Sequence, residues 1–330
     1  MNETNIITYS NINQNIWLDC DPGNDDFFAI ITILTNNFNL LGISTTFGNT
    51  TVKNSTNNTL KILSLLGVKN VKVVQGNEFP IIKTNSFSVS EDIHGYNGLG
   101  CDLPETDLQP VNSNWIHFMY NTIKNNNKTI LVATGPLTNI ALLFTIYPDI
   151  SQSIDKIVLM GGSIGIGNIT PSAEANIYHD PEAGKIVFNS GINIVMIPLD
   201  VTMKLMIPID YKNTIIHLNS FFSKKCIEIL DFYSSSYKKL YDIDQAPLHD
   251  VATIMYLLDP TIFIEKKINV DVDLSHSCKG RTICDFYNIN NNTSNVNLVY
   301  DINNMKLLWS IFIESIKKAN KMYLKNNKLI

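Results

Sequence analysis

Four carboxylates stand within eight residues at Asp19-Cys20-Asp21-Pro22-Gly23-Asn24-Asp25-Asp26, directly after the apolar Ile16-Trp17-Leu18 and before the apolar run Phe27 to Ile31. Carboxylates this close repel one another unless protons or a cation compensate them, and an all-oxygen set suits a hard divalent ion such as Ca2+ or Mg2+. The flanking residues say how such a set would be held. Residues 15 to 20 read as a short strand, Pro22-Gly23 as a turn, and Asp25-Asp26 as the first turn of a helix, whose N-terminal dipole favours negative charge. A single aspartate here would be an ordinary cap or a solvated loop residue; four together point to a cation site.

Further along, Thr134-Gly135-Pro136 joins a strand to a helix, and its carbonyls could complete a metal shell. Asn168, Glu174 and Asn176 place two amides and a carboxylate within nine residues, a set suited to sugar hydroxyls, although taken alone the cluster reads as solvated loop. Leu248-His249-Asp250 precedes the apolar Val251 to Met255, so the pair falls at a helix start. There Asp250 could reach a metal and His249 could titrate near neutrality, or both could simply cap the helix. Phe232-Tyr233 and Tyr237 form one helical stripe, a pattern that more often packs a core than a ligand. Gly161 to Gly167 lacks phosphate-loop and dinucleotide spacing and reads as a flexible active-site loop. The chain has no GxSxG elbow, and Ser163 has no evident base, which removes a serine-hydrolase reading.

The elements that must position these residues alternate. Strand-like apolar runs at 40–46, 71–75, 129–133, 156–160 and 192–199 interleave with segments of helical period at 25–35, 53–66, 137–146 and 181–189. The alternation predicts a single-domain α/β fold, an open, mainly parallel sheet flanked by helices. Helices then dominate from Tyr211 to Asp242, and another runs from near His249 to Leu258. Strands are expected at 268–274, 281–287 and 296–300, and a helix closes the chain from Asn303. In open parallel sheets ligands bind beyond the carboxyl ends of the strands. Asp19 to Asp26, Phe47-Gly48-Asn49, Thr134 to Asn139 and Met160-Gly161-Gly162 all follow strands, so one crevice could collect them.

Composition narrows the partners. With 45% hydrophobic and 17% charged residues the 330-residue chain can bury one large core, and a formal net charge of -5 offers no basic footprint for a nucleic-acid polymer. Five cysteines without CxxC spacing argue against a disulfide framework or a zinc site and for a reducing cytosol. Residues 1–14, polar and Asn-rich, read as a disordered or loosely attached N-terminus without a signal peptide, leaving 15–330 as the domain. No apolar run reaches membrane-spanning length.

With Asp21-Pro22-Gly23-Asn24-Asp25-Asp26, Ala133-Thr134-Gly135-Pro136-Leu137-Thr138-Asn139, Met160-Gly161-Gly162, Asn168 to Asn176 and His249-Asp250 in this order, the chain resembles the inosine-uridine preferring nucleoside hydrolases from about residue 15 to 320. The DxDPGxDD block is the most specific element. The resemblance implies a Ca2+-dependent enzyme with a Rossmann-like sheet that splits a ribonucleoside into ribose and free base, in cytoplasmic purine and pyrimidine salvage, as a homodimer or homotetramer. By match to the family pattern, Asp21, Asp26, the Thr134 carbonyl and Asp250 would hold the metal, with Asp21 also the general base. Asp25, Asn49, Glu174 and Asn176 would bind ribose hydroxyls, Asn168 would lie near the 5'-end, and Met160 would border the substrate. His249 would protonate a purine leaving group, joined by Tyr237, and His94 would stand on the base side, on a mobile loop.

Purine-specific relatives stack the base with indoles, and none of Trp17, Trp115 or Trp309 falls in the corresponding loops, which implies the broad inosine and uridine type. One departure is visible: Ala175 stands where the family usually carries an aromatic residue, so the pocket wall would be wider. Two other readings compete. Asp19-Cys20-Asp21 after a strand also resembles the nucleophile motif of haloacid-dehalogenase-like phosphatases, but Gly23 stands where those enzymes carry threonine or valine, and Asp25-Asp26 would be idle. A nucleoside-binding protein without turnover rests on Ala175 alone.

Overall fold

Gln14–Cys20 forms β1, buried from Ile16 onward. Its even residues Ile16, Leu18 and Cys20 enter one core and Trp17 the other, as the two-residue period of a central strand demands. The computed structural model describes residues 13–83 and 88–328. Residues 1–12 of the expected loose N-terminus lie outside the described residues, and the strand is already under way at Gln14.

From β1 the chain builds one half of the sheet through α1 (Asn24–Leu34), β2 (Phe38–Thr45), α2 (Val52–Leu65) and β3 (Val73–Gln75). It then passes through α3 (Glu91–His94) and α4 (Trp115–Lys124) to the opposite side of β1, where β4 (Thr129–Ala133) pairs with it in parallel. α5 (Thr138–Ile146), β5 (Ile154–Met160), α6 (Ala175–His179), α7 (Pro181–Phe188) and β6 (Ile194–Ile197) extend that half. Four helices follow: α8 (Leu199–Thr202), α9 (Ile209–His217), α10 (Phe221–Tyr241) and α11 (Val251–Leu258). The chain ends with β7 (Phe263–Val272), β8 (Thr282–Asp285), β9 (Val296–Ile302) and α12 (Met305–Asn326).

The strand order is β3-β2-β1-β4-β5-β6-β9-β7-β8, parallel as far as β9 and antiparallel beyond it. α1, α2 and α9 to α12 cover one face and α4, α5 and α7 the other. The chain leaves β1 toward β2 on one side and returns to β4 on the other, so the order reverses between β1 and β4. That reversal opens a crevice at their carboxyl ends, beside Asp19 to Asp26 and Thr134.

Besides the short helices α3, α6 and α8, two longer elements depart from the expected pattern. α4 was absent from it: its buried residues Ile116, Met119 and Ile123 form only a narrow stripe. Its start is nonetheless well made, because the Asn114 side chain accepts the His117 N–H at 3.1 Å. β7 begins at Phe263 instead of 268. Its first half pairs only with β9, and on that open edge Glu265, Lys266 and Lys267 face solvent, which hides the apolar alternation.

α1 is buried from Asn24 through Ile33 and packs against α11 and α12. Phe28 lies 5.1 Å from Phe27 and 5.7 Å from Phe312, centroid to centroid. Phe28→Ala is expected to lower the unfolding free energy by about 3–5 kcal/mol, the usual loss for a buried phenylalanine, read from the urea transition. A loss below about 1 kcal/mol would show that α1 is not a core helix.

Candidate active site

Beyond Cys20 the chain turns through Asp21-Pro22 to Gly23, the residue capping α1, which places Asp25 and Asp26 in the first helical turn. Asp26 is the best supported of the carboxylates. One oxygen accepts the Gly23 N–H at 3.1 Å and the Asn49 side-chain amide at 3.2 Å; the other accepts the Thr134 hydroxyl at 2.7 Å. Asp21 Oδ2 accepts the Asn49 N–H at 2.7 Å, whereas Asp21 Oδ1 and Asp25 Oδ1 are buried without a partner. Asp250 stands at the start of α11 but makes no side-chain capping bond. Asp25, Asp26 and Asp250 instead bring carboxylate oxygens within 4.8 Å of one another.

Burial, reinforced by the neighbouring Asp26 charge, pushes Asp25 up to about 7; burial takes Asp26 to about 6 against its hydrogen bonds. Asp21 and Asp250 are raised well above the usual carboxylate range, again by burial first and then by the other aspartates. Two orphaned oxygens and three converging carboxylates fit a hard dication. Of the expected ligands, Asp26 and Asp250 come together, and Asp25 completes the tightest trio. Asp21 lies outside that trio, although its charge acts on Asp250. The Thr134 carbonyl is near Asn176, whose amide donates to it at 2.9 Å.

Glycines make room for Asp21. A Cβ on Gly48, whose φ is +149°, would fall 2.0 Å from Asp21 Oδ2, and one on Gly135 would fall 2.6 Å from Asp21 Oδ1. This is the physical content of Phe47-Gly48-Asn49 and Thr134-Gly135-Pro136.

A cleft of about 50 Å³ opens beside the trio. Asn49, Thr134, Met160, Asn168, Glu174, Ala175 and Asn176 line it together with Asp25 and Asp250, and His94, Tyr233, Tyr237 and His249 complete the wall. A cavity of about 640 Å³ lies elsewhere, between residues 169–172, α6 and residues 276–279. Among the described residues the metal-competent acidic group belongs to the smaller cleft, and the chemistry is placed there.

Of the polar cluster that read as solvated loop on its own, Glu174 and Asn176 are buried and Asn168 is half-buried. Glu174 caps α6, its carboxylate accepting the N–H groups of Asn176 and Gly162 at 2.8 Å and of Ile177 at 3.2 Å, and burial pushes it up to about 7. The Asn176 amide donates to the Thr134 carbonyl and, at 3.1 Å, to the Met160 carbonyl. Asn168 Oδ1 accepts the Ala175 N–H at 2.9 Å.

On the other wall, His94 sits at the end of α3, its Nδ1 2.9 Å from Asn24 Oδ1 and its ring 5.3 Å from that of Tyr233. Burial holds it down at about 3. The segment after it is stitched to the acidic turn: Asn24 donates to the Leu99 carbonyl at 2.8 Å, and Asn58 bridges the Pro22 and Asn97 carbonyls at 3.0 and 2.7 Å. His249 Nε2 lies 2.8 Å from the Tyr237 hydroxyl and Nδ1 2.7 Å from the Thr202 hydroxyl. Burial also holds His249 at about 3. The tyrosine stripe is therefore both core and cleft wall. Asn24, Asn58 and Thr202 were not singled out from sequence; only the asparagine inside the acidic block carried a signal, its place beside the ligands.

A buried carboxylate group able to hold a divalent cation, beside amides and a histidine, is what this arrangement defines. The sequence profile of inosine-uridine preferring nucleoside hydrolases matches residues 16–309. A probable ribonucleoside hydrolase of Dictyostelium discoideum is 38% identical across 95% of this chain and 97% of that protein. The pyrimidine-specific ribonucleoside hydrolase RihA of Escherichia coli O1:K1 is 36% identical across 87% of this chain and 93% of its own. Among solved structures, the purine-preferring ribonucleoside hydrolase from Gardnerella vaginalis superposes with a TM-score of 0.87 at 32% identity, over 93% of this chain and 99% of that one. The chain belongs to the inosine-uridine preferring nucleoside hydrolase family and is an enzyme of that kind.

The raised carboxyls make a pH-dependent link to the metal. Without a cation, folded Asp25 keeps its proton to about 7 while the unfolded chain loses it near 3.8, so the unfolded state binds fewer protons and stability falls as pH rises. Buried His94 and His249 pull the other way only below the ordinary 6.5, so the comparison belongs above it. After exhaustive chelation the melting temperature is expected to be lower at about pH 8 than at about pH 6.5, and added Ca2+ should raise it more at the higher pH. Equal gains at both would remove the cluster as the cation site.

Proposed function

We propose that the protein hydrolyses the N-glycosidic bond of ribonucleosides, purine and pyrimidine alike, with Ca2+ as its resident cation. The observation that carries this reading is the convergence of Asp25, Asp26 and Asp250 within 4.8 Å, beside the amide of Asn176. Asp21, Asp26, Asp250 and the Thr134 carbonyl are the proposed ligands. When bound, Ca2+ supplies positive charge that anchors the ribose 2'- and 3'-hydroxyls and eases loss of a proton from the attacking water.

Asp21 is suited to take that proton: Asn49 fixes one of its oxygens and the other is free. As water oxygen bonds to C1', the bond from C1' to the base nitrogen breaks and its electron pair leaves with the base. The ribosyl group is cationic in between, and the surrounding carboxylates favour that charge. Asp25, Asn49, Glu174 and Asn176 hold the hydroxyls and fix the ring for attack, with Asn168 at the 5'-end and Met160 alongside. On the base side, His249 and Tyr237 deliver a proton to a purine leaving group, and His94 and Tyr233 border the ring.

Breadth of base is supported by the cleft itself. Its phenol rings are Tyr233 and Tyr237, no indole lines it, and Ala175 puts only a small side chain in the wall. Similar relatives carry both pyrimidine-specific and purine-preferring descriptions. Five unpaired cysteines favour a reducing compartment, and we place the enzyme in the cytoplasm, in nucleoside salvage, as a homodimer or homotetramer.

If the hydroxyls are bound as proposed, 2'-deoxyuridine leaves buried polar groups unpaired, and its kcat/KM is expected to fall about 10⁴-fold below that of uridine. Comparable values, followed by base release, would contradict the ribose assignment. Asp21→Asn is expected to lower kcat by about 10²-fold or more at unchanged metal content, the size of a general-base contribution. Near-native turnover in the metal-loaded variant would take Asp21 out of the chemistry.

A further inference from the structure

The His249 imidazole is held from both sides, and only one partner faces the cleft. Tyr237, on Nε2, lines it; Thr202, on Nδ1, is fully buried behind the ring. Thr202 ends α8, and its hydroxyl also lies 3.4 Å from the Leu199 carbonyl of the same helix. α8 is itself clamped in place. The Leu199 N–H donates to the Gly162 carbonyl at 2.9 Å, and the Asp200 carboxylate accepts the N–H groups of Ile164 and Gly165 at 2.6 and 3.0 Å. The segment carrying His249 is fastened alongside by the Leu248 N–H to the Leu205 carbonyl at 3.0 Å and by a bridge between Met206 and Pro247. Backbone ties therefore deliver the hydroxyl and the imidazole to each other.

A hydroxyl has one hydrogen to give and lone pairs to receive. An imidazole that releases a proton from Nε2 must keep a hydrogen on Nδ1, and in a buried place that hydrogen needs an acceptor. With its own hydrogen turned to the Leu199 carbonyl, Thr202 is that acceptor. We infer that Thr202 is a positioning residue that fixes the tautomer and orientation of His249, so that the catalytic proton leaves from Nε2 toward Tyr237 and the leaving base. The inference rests on His249 acting as the acid. In that step a proton taken up from solvent water on Nε2, beside the Nδ1 hydrogen already held, passes to the Tyr237 oxygen while the Tyr237 hydrogen goes to purine N7. The C1'–N9 bond breaks with its electrons entering the purine, and the imidazole ends neutral, hydrogen on Nδ1.

The test compares inosine with p-nitrophenyl riboside, whose leaving group needs no proton, in metal-loaded wild type, Thr202→Val, Thr202→Ser and His249→Ala. Thr202→Val keeps the shape but not the acceptor, and is expected to lower kcat on inosine by about 10-fold or more while p-nitrophenyl riboside changes by less than about 2-fold; Thr202→Ser should restore inosine turnover. Equal losses on the two substrates, or none on either, would overturn the inference. If His249→Ala separates the substrates and Thr202→Val does not, Thr202 alone is wrong; if His249→Ala does not separate them, the acid reading falls and takes this inference with it. Independently of any variant, ¹⁵N chemical shifts of the wild-type histidines should show resting His249 with its hydrogen on Nδ1. A hydrogen on Nε2 instead would also overturn it.

Discussion

Carboxylates taken out of water against one another are the constraint on which this structure turns. An isolated buried charge is among the most unfavourable groups a protein can hold, and Asp21, Asp25, Asp26 and Asp250 are all almost fully removed from solvent. They are drawn in by α1, which is apolar on every side and buried along nearly its whole length. The helix cannot pack without carrying its acidic first turn inward. Hydrogen bonds from Gly23, Asn49 and Thr134 offset part of the loss, and the remainder calls for positive charge from outside the chain.

Uncharged amides do most of the surrounding work. Asn139, from α5, donates to Asp19 at 2.8 Å and to the Thr45 carbonyl at 3.1 Å, which ties β1, β2 and the Thr134 turn beneath the cluster. Asn49 touches Asp21 through its backbone and Asp26 through its side chain. Asn24, Asn58 and Asn97 fasten the His94 segment to the same turn. An asparagine brings both a donor and an acceptor without adding charge. In a region already crowded with negative groups it can orient neighbours without altering the balance.

What was legible in the sequence was the local grammar. Apolar run, acidic turn and apolar run placed Asp21 to Asp26 between β1 and α1, and the same logic placed Thr134 after β4 and His249-Asp250 before α11. Alternation of strand and helix revealed the sheet class. The antiparallel pairing of β7 with β9 was not legible, because exposed Glu265, Lys266 and Lys267 break the pattern that a covered strand would show. Nor was the partner of His249 Nδ1: Thr202 lies 47 residues away, in a four-residue helix whose sequence has no amphipathic period to read. His94 and Asn24 are separated by 70 residues. Tyr237 exposed a different limit, since a buried stripe can belong to a core and to a binding wall at once.

The converging carboxylates come from the two ends of the chain, residues 25 and 26 against residue 250. During synthesis Asp25 and Asp26 emerge early, with Asp21 and Thr134 in the same half of the chain, whereas Asp250 follows much later. The carboxylate trio therefore comes together only when α11 has been made and has docked on α1. An ion that requires all three of these carboxylates does not nucleate folding; it acts as a late latch, captured by a nearly finished molecule and slowing its reopening. Its dissociation rate should then follow the undocking of α11, a motion of the whole fold rather than a property of the ligands alone.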